Sequence, residues 1–574
     1  MSERKEKTLE VGGNLPEGND QNNLVEVQID NKNTDSASAK SSVAEKLMKI
    51  ALEEYDLHRA QDSTVFLTSK FSPRHLGISL GDTADELEAE LADAFFSREG
   101  KVVSDSALRG CLKALRGAAR KLSPEPLHLR VGCEAGVIWI DLGRPEGEVV
   151  RICGGSWTVQ DSADICFRRT PLTAELPLPA TSGSLDDLWT FMNVSVKDHD
   201  LLIGCLVAAF IPDMAHPIPV MSGEQGTGKS TNARMILDLI DPSSVGLRSI
   251  PKQDDWVITA SNAWAIGIDN ISKISDWLSD ALCRAVTGDG DVRRKLYTNG
   301  GISVISIRRV IVLTGIDFGE LRGDLAERIV SIKLSRISTK KRRDEDDLQK
   351  KWMKARPGIF RELLDLVAIA ADTADTVDIE ELPRMAKFAK ILRALDIHRG
   401  TDSLGRYYEQ LHELSETILS SNPFIEELRA RVSSFHGTSK ELLTKLDGYK
   451  EHIRPPRGWP QKASEVTEIL KRFAPALREA GWTVEDEGNR NQQKTIRWRI
   501  DSPTALAEES VIPAIEGPPV SSRGKNTVTV GELLAQADTF TGTTGATGAK
   551  SPNTKTPPKL SAELAERIKK GITK

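Results

Sequence analysis

Val220-Met221-Ser222-Gly223-Glu224-Gln225-Gly226-Thr227-Gly228-Lys229-Ser230-Thr231 is the stretch on which the reading of this chain turns. From Gly223 onward it fits Gly-x-x-x-x-Gly-Lys-Ser/Thr without a mismatch, the pattern of a phosphate-binding loop. The residue types follow from the chemistry. Glycines let a backbone wrap an anion with its N–H groups turned inward, where a side chain would block the approach. Gly223, Gly226 and Gly228 meet that need, and Glu224, Gln225, Thr227 and Thr231 complete the expected nucleotide-binding segment. Lys229 is then placed to reach the β- and γ-phosphates of ATP, and the Ser230 hydroxyl to ligate Mg²⁺ at the start of the following helix. The competing reading is a glycine-rich turn that matches by chance.

The flanks supply the context the motif requires. Ile218-Pro-Val-Met221 is a short apolar run expected to form a strand. Thr231 to Ile240 puts Ala233, Ile236, Leu237 and Ile240 on one helical face before Asp241-Pro242 stops it. Pro219 is awkward, because a proline cannot donate to a ladder. It requires either a very short strand or a place at the strand's first residue.

At 574 residues, 39% apolar and 28% charged, the chain has material for several domains. A net charge of −6 excludes a protein basic all over, so any nucleic-acid contact must come from local patches. Six cysteines without a C-x-x-C pair signal neither a zinc ribbon nor a disulfide framework, and a reducing, cytoplasmic compartment fits them. No apolar run is long enough for a bilayer. The longest, Leu201 to Ile211, reads as a buried helix near the nucleotide domain.

In chain order, residues 1–42 are polar and aperiodic and read as disordered. Residues 43–183 read as an α+β domain with a linker. Apolar spacing looks helical from Val43 to about Phe96 and again from Ser104 to Leu122. The period then switches to strands between about Leu127 and Arg169. Asp141 and Glu148 invite a metal-site reading, but solvated strand ends around Gly143–Gly147 explain them more simply, since no second acid shares a strand face with Asp141.

The second nucleotide motif should be an apolar strand ending in an acid that orders the Mg²⁺ shell, and Trp264-Ala-Ile-Gly-Ile-Asp269-Asn270 fits. Asn270 stands where a catalytic Glu is expected; it can position a water but cannot take its proton. Glu224, on the loop itself, and Asp280 are the candidate acids for that role elsewhere in the sequence. Further on, a helix stopped at Gly288 precedes a basic strand with Arg293, Arg294 and Lys295, for which a solvated strand is the plain alternative. Arg309 to Asp317 is an apolar strand with Thr314 at its polar end, suited to sensing the γ-phosphate. Arg322 and Arg328 precede one more strand, where an arginine can complete a neighbouring subunit's nucleotide site.

The order of these motifs from Gly223 to Leu334 resembles the ATPase core of superfamily 3 helicases, a branch of the AAA+ class, and specifically the primase-helicase-like ATP-binding proteins of phages and mobile elements. Ser222 to Thr231, Asp269-Asn-Ile-Ser, Leu278 to Arg284 and Asp324-Leu-Ala-Glu-Arg328-Ile carry the resemblance, which runs more weakly from about Leu127 to Leu392. It implies an α/β P-loop fold and a homo-oligomeric, hexameric ring with ATP between subunits. It also implies a DNA-touching hairpin near Arg293–Lys295 and an arginine finger at Arg328. Two departures are visible: Thr314 stands where the family has Asn, and no primase acid or zinc motif precedes the core.

The core with its helical lid is expected over 184–397, with residues 340–356 an exposed charged helix and new helices from Gly358. A helical connector and winged-helix domain follow over 398–501. There, a helix from Lys440, an amphipathic helix from Ala463 to Ala480 and a hairpin through Arg490 and Lys494 lead to a strand carrying Arg497 and Arg499. Lys440 to Ile500 holds 13 Lys/Arg against 9 Asp/Glu, a basic island suited to DNA phosphates. A winged helix used only for packing is the alternative. Residues 502–574 read as a disordered tail whose last stretch could dock on a replication partner. The function expected is an ATP-hydrolysing DNA-replication motor of a phage or integrated element. Its rival is an ATP-gated DNA-binding or assembly factor with slow or no turnover.

Overall fold

The computed structural model describes residues 42–503 apart from 72, 82–84, 289, 295–301, 316–320, 338–343, 448–454 and 489–495. Lys295, Arg490 and Lys494 lie outside the described residues, as do the expected disordered ends.

Five parallel strands organise the chain: β1 (Ile218–Ser222), β2 (Leu247–Arg248), β3 (Ala265–Ile271), β4 (Val310–Gly315) and β5 (Ile329–Lys333). They lie in the order β2-β3-β4-β1-β5. Parallel sheets are covered on both faces, and β4 is buried along its whole length. Alternate side chains therefore feed two cores. Val310 and Val312 join one with the helices Lys229–Ile240, His199–Ala208 and Glu345–Thr373, while Ile311 and Leu313 join the other with the helix Asp276–Thr287. The apolar run from Leu201 is the second of these helices, buried on every side.

Pro219 stands second in β1, not first. It is accommodated because the ladder with β4 begins only at Val220, while Ile218 donates to Arg328 O at 2.8 Å on the β5 side. The donor that proline lacks falls where no pairing is needed.

Before the sheet, Val43–Glu54 forms a helix under a Ser42/Glu45 capping box. The expected run of helices to Phe96 is then broken by a three-stranded antiparallel sheet of Tyr55–Arg59, Val65–Ser69 and Gly77–Ser79. Val65 to Thr68 are buried on both faces, so the segment shows no alternation to betray a strand. Val131 to Gln160 forms the expected antiparallel meander of four strands. Asp141 is buried there, accepting from Arg169 at 2.7 and 2.9 Å and from Gly143 N at 3.0 Å. It is a buried ion-pair partner and not the solvated strand end expected, because Arg169 folds over it and supplies the charge that water would have screened.

Beyond β5, one helix runs from Glu345 to Thr373 straight through Pro357-Gly358, where the sequence suggested a boundary. Gly358 packs backbone to backbone on Gly183, leaving no room for a side chain, and Trp352, Ile359, Phe360 and Leu363 bury one continuous face. That packing outweighs the proline's local cost. Helices Ala386–Arg399 and Ser403–Ser420 follow. Arg406 and Gln410 on the latter reach buried Asp198 at 2.9 and 3.3 Å, and Asp198 accepts from Lys333 N at 3.1 Å, so β5 is braced from both sides. The C-terminal part contains a three-stranded sheet, Ser434–Thr438, Arg497–Asp501 and Thr483–Asp486, with helices Ser439–Leu446 and Ala463–Glu479. Ser434–Thr438 was not legible as a strand, with only Phe435 apolar among five residues.

Two buried histidines make the fold acid-sensitive. Burial pushes His216 down to about 3 and His75 down to about 4. A histidine held below its ordinary pKa near 6.5 stabilises the fold at neutral pH. That stability is lost as pH falls from about 6.5 towards the folded value, because the unfolded chain takes up the proton first. Going from pH 7.5 to 5.5 should cost about 1.4 kcal/mol per histidine. Urea midpoints at the two pH values test this. His75→Gln should lose part of the pH effect, and identical midpoints for the parent chain would contradict the assignment.

Candidate functional site

The loop between β1 and its helix takes the backbone its glycines allow. Gly223, Gly226 and Gly228 have φ of 151°, 80° and 73°. A Cβ on Gly223 would stand 3.0 Å from Thr227 Oγ1 and 3.2 Å from Leu334 O, so glycine is needed there for space as well as conformation. Glu224, Gln225 and Gly226 are exposed, whereas Thr227 is buried and donates to Glu224 O at 2.9 Å. The helix that opens at Lys229 has no side-chain cap, which leaves its first N–H groups without a side-chain acceptor. Lys229 Nζ donates to Gly223 O at 2.9 Å and to Glu224 O at 2.8 Å, so the ammonium closes the loop on itself.

Ser230, Asp269 and Thr314 come from three elements and meet. Ser230 Oγ donates to the Asp269 carboxylate at 2.9 and 3.1 Å, and Thr314 Oγ1 donates to Asp269 Oδ1. The Asn270 N–H in turn donates to Thr314 Oγ1 at 2.9 Å. Sheet order explains the meeting: β4, which ends in Thr314, lies between the loop strand β1 and the Asp269 strand β3. The β3–β4 register shifts between Ile268 and Ile271, and Asn270 sits in this irregularity with φ 55°, its side chain exposed. Asparagine is among the few non-glycine residues that tolerate that backbone.

The other expected residues are placed elsewhere. Arg328 is buried and its guanidinium donates to Asp324 O of the same chain. Arg322 is more exposed and pairs with Asp280 at 2.9 Å, which occupies one of the two acids considered as a base. Arg293 and Arg294 lie on a strand, Gly290–Arg294, paired antiparallel with Ile302–Ser306; their side chains are outside the described residues. Arg497 and Arg499 are exposed while Trp498 and Ile500 between them are buried, the alternation expected of a half-buried strand. Arg499 pairs with Asp501 at 2.9 Å and lies across from Glu485, which dilutes the positive face.

Asn193 was not found from sequence. Its Nδ2 donates to Thr227 O at 3.0 Å and to Ser335 O at 2.5 Å, while Asn232 Nδ2 donates to its Oδ1 at 3.0 Å. It thus ties the loop to the segment after β5 and forms one wall of a cleft beside Gly228 that also includes Trp189, Phe191, Arg336 and Ile337. A lone Asn in Phe191-Met-Asn-Val194 carries no spacing signal, so only the fold reveals it.

Fold and site together define a mixed α/β protein with a parallel sheet and a glycine-rich loop at its edge. Comparison with known proteins is more particular. Residues 185–417 match the family described as "Actinomycete integrative conjugative element replication protein", and residues 424–511 match "AICE RepA C-terminal domain". The two segments take in more than half of the chain and mark it as a replication protein of a mobile element. No curated protein matches it. Among solved structures, "The A form apo structure of NrS-1 C terminal region-CTR" is similar at 11% identity and TM-score 0.36, over 79% of this chain and 98% of that one. A JCV helicase is similar at 15% identity and TM-score 0.21, over 35% of this chain and 57% of that one. Among the described residues no helix is long and apolar enough to cross a membrane.

Proposed function

We propose that this replication protein binds Mg·ATP at the Gly223–Thr231 loop and hydrolyses it, as a superfamily 3-like AAA+ ATPase acting on DNA. The observation that carries the reading is the convergence of Ser230 and Thr314 on the Asp269 carboxylate beside that loop. The residues fit the group: a helix N-terminus without a side-chain cap, an ammonium that needs only to leave two carbonyls, and a hydroxyl–carboxylate pair of hard oxygen donors of the kind Mg²⁺ takes. Lys229 would hold phosphate, and Ser230 and Asp269 the metal. When bound, Mg²⁺ neutralises charge on the phosphates. Thr314, which donates to Asp269, would orient that carboxylate and sense the terminal phosphate, and the cleft at Asn193 is where the nucleoside would rest.

A ring of subunits, with Arg328 or the more exposed Arg322 acting across an interface, belongs to the same proposal. So do DNA contacts by the Arg293–Arg294 hairpin and by the C-terminal sheet, whose helix–helix–hairpin order supports a winged helix. Asn270 favours a second reading. With an amide in place of a carboxylate after Asp269, the protein could act as an ATP-gated assembly factor whose ATP state is long-lived. Steady-state ATP hydrolysis with and without single-stranded DNA separates the two. DNA-stimulated turnover that Lys229→Ala abolishes supports the motor. Tight binding without turnover in every condition overturns hydrolysis and supports the assembly factor.

A further inference from the structure

Far from the loop in sequence, a histidine, a carboxylate and a thiol converge where the N-terminal sheet meets the strand pair that follows it. His58 lies on the strand Tyr55–Arg59, Glu125 on the segment leading to Leu127, and Cys166 on the short strand Cys166–Phe167. One ligand atom from each lies within 4.8 Å of the other two. Among the described residues no other three His, Cys, Asp or Glu side chains cluster in this way.

Backbone pairing, more than the side chains themselves, sets the cluster. Glu125 N donates to Arg59 O at 2.9 Å and Gln61 N donates to Glu125 O at 3.2 Å, which locks Glu125 beside the His58 strand. Two residues on, Leu127 pairs in parallel with Cys166. Each group is half-buried, so none is held by a deep core and none floats free. The ring of His58 is fixed on its far side as well: Nε2 lies 2.8 Å from Thr68 Oγ1, and the imidazole stacks on Phe66 with ring centroids 4.9 Å apart. In the metal-free chain Nδ1–H donates to the Glu125 carboxylate and Nε2 accepts from the Thr68 hydroxyl; a cation on Nδ1 would displace that proton, and Thr68 Oγ1 can equally accept from Nε2–H in the tautomer that results. Metal-binding histidines commonly have such a hydrogen-bond partner on the ring nitrogen that does not hold the metal.

We infer that His58 Nδ1, Glu125 and Cys166 Sγ form a binding site for a borderline divalent cation, Zn²⁺ by its donor set, that clips the N-terminal sheet to the Leu127/Cys166 strand pair. One nitrogen, one oxygen and one sulfur suit Zn²⁺; Mg²⁺ and Ca²⁺ take oxygen ligands alone. Ligand atoms around a tetrahedral zinc stand about 3.3–3.8 Å apart, given bonds of about 2.0–2.3 Å, so loading the site closes the widest pair by up to about 1.5 Å and moves Glu125 out of its direct contact with His58 Nδ1. Binding takes up the Cys166 thiolate and releases its proton to solvent, and water fills the fourth position. The clip is structural, joining elements other than those that carry the Gly223–Thr231 loop.

The test is metal content of the purified full-length chain by mass spectrometry, before and after dialysis against a chelator and zinc re-addition. The parent chain, Cys166→Ser, His58→Ala and Glu125→Gln are compared. The site predicts one zinc per chain, more than tenfold weaker zinc affinity in Cys166→Ser and His58→Ala, and a fall in the parent's melting temperature on zinc removal. Cobalt loading should give a thiolate-to-cobalt charge-transfer band that Cys166→Ser loses. Circular dichroism identifies any variant that fails to fold, and the cobalt band of the parent then decides alone. A parent chain that binds neither metal, or a zinc content unchanged in Cys166→Ser and His58→Ala, overturns the inference.

Discussion

Asp269→Ala is expected to lower ATP turnover by about 10²–10³-fold, the range seen when one preorganised polar group is removed from a developing charge. Asp269 accepts from Ser230 at 2.9 and 3.1 Å and from Thr314, so its loss removes a carboxylate and also frees two hydroxyls that hold the loop helix and β4 to β3. Thr314→Val keeps the volume and the carboxylate but removes its orientation and the acceptor of the Asn270 N–H. Its cost should be smaller, about 10–100-fold, the range for losing a group that hydrogen-bonds to a metal's ligand. Turnover measured at saturating Mg·ATP gives the order. Equal activity in Asp269→Ala and the parent chain would remove Asp269 from the site.

The second large effect is on stability. Arg130 is fully buried and its guanidinium donates to Asp241 Oδ1 at 2.8 Å, to Asp141 O at 3.0 Å and to Ala174 O at 2.8 Å. Asp241 ends the loop helix, and its other oxygen accepts from Trp264 N and Ala265 N at 2.8 and 3.0 Å where β3 begins. One ion pair thus joins the antiparallel meander to both elements that carry the nucleotide motifs. Arg130→Ala leaves the Asp241 charge buried without its cation, and breaking such a pair costs about 3–5 kcal/mol. Urea denaturation should show a midpoint shift of that size. Arg130→Ala combined with Asp241→Asn should recover part of it, since the uncompensated charge is then gone. A midpoint within experimental error of the parent's would contradict a structural role for the pair.

What could be read in advance follows from where local chemistry dominates. The glycine loop, the Asp269 strand and the Thr314 strand are short-range patterns: a φ that only glycine adopts readily, or an apolar run ending in one polar side chain. The structure brings Ser230, Asp269 and Thr314 together as such patterns imply. The strand Val65–Ser69, buried on both faces, has no period to read, and the Glu345–Thr373 helix passes its proline because a distant glycine, Gly183, packs against Gly358. Asn193 and the Arg130–Asp241 pair are long-range, with partners 34 and 111 positions apart, and only the assembled sheet makes them neighbours. Lys295 remains an expectation from the family resemblance, and Arg490 and Lys494 expectations from charge on the expected wing. The Arg328 side chain, expected to reach a neighbouring subunit, is held by its own chain's Asp324 carbonyl, which makes Arg322 an equal candidate in the proposed ring.

Equilibrium binding of Mg·ATP by calorimetry, for the parent chain and Lys229→Ala side by side, tests the central claim most directly. The parent should bind one nucleotide per chain, and the variant, folded by circular dichroism, should bind at least tenfold more weakly, since the ammonium that now rests on Gly223 O and Glu224 O is the charge that phosphate would draw over. A parent chain that binds no nucleotide, or a folded Lys229→Ala that binds it equally well, would contradict the account.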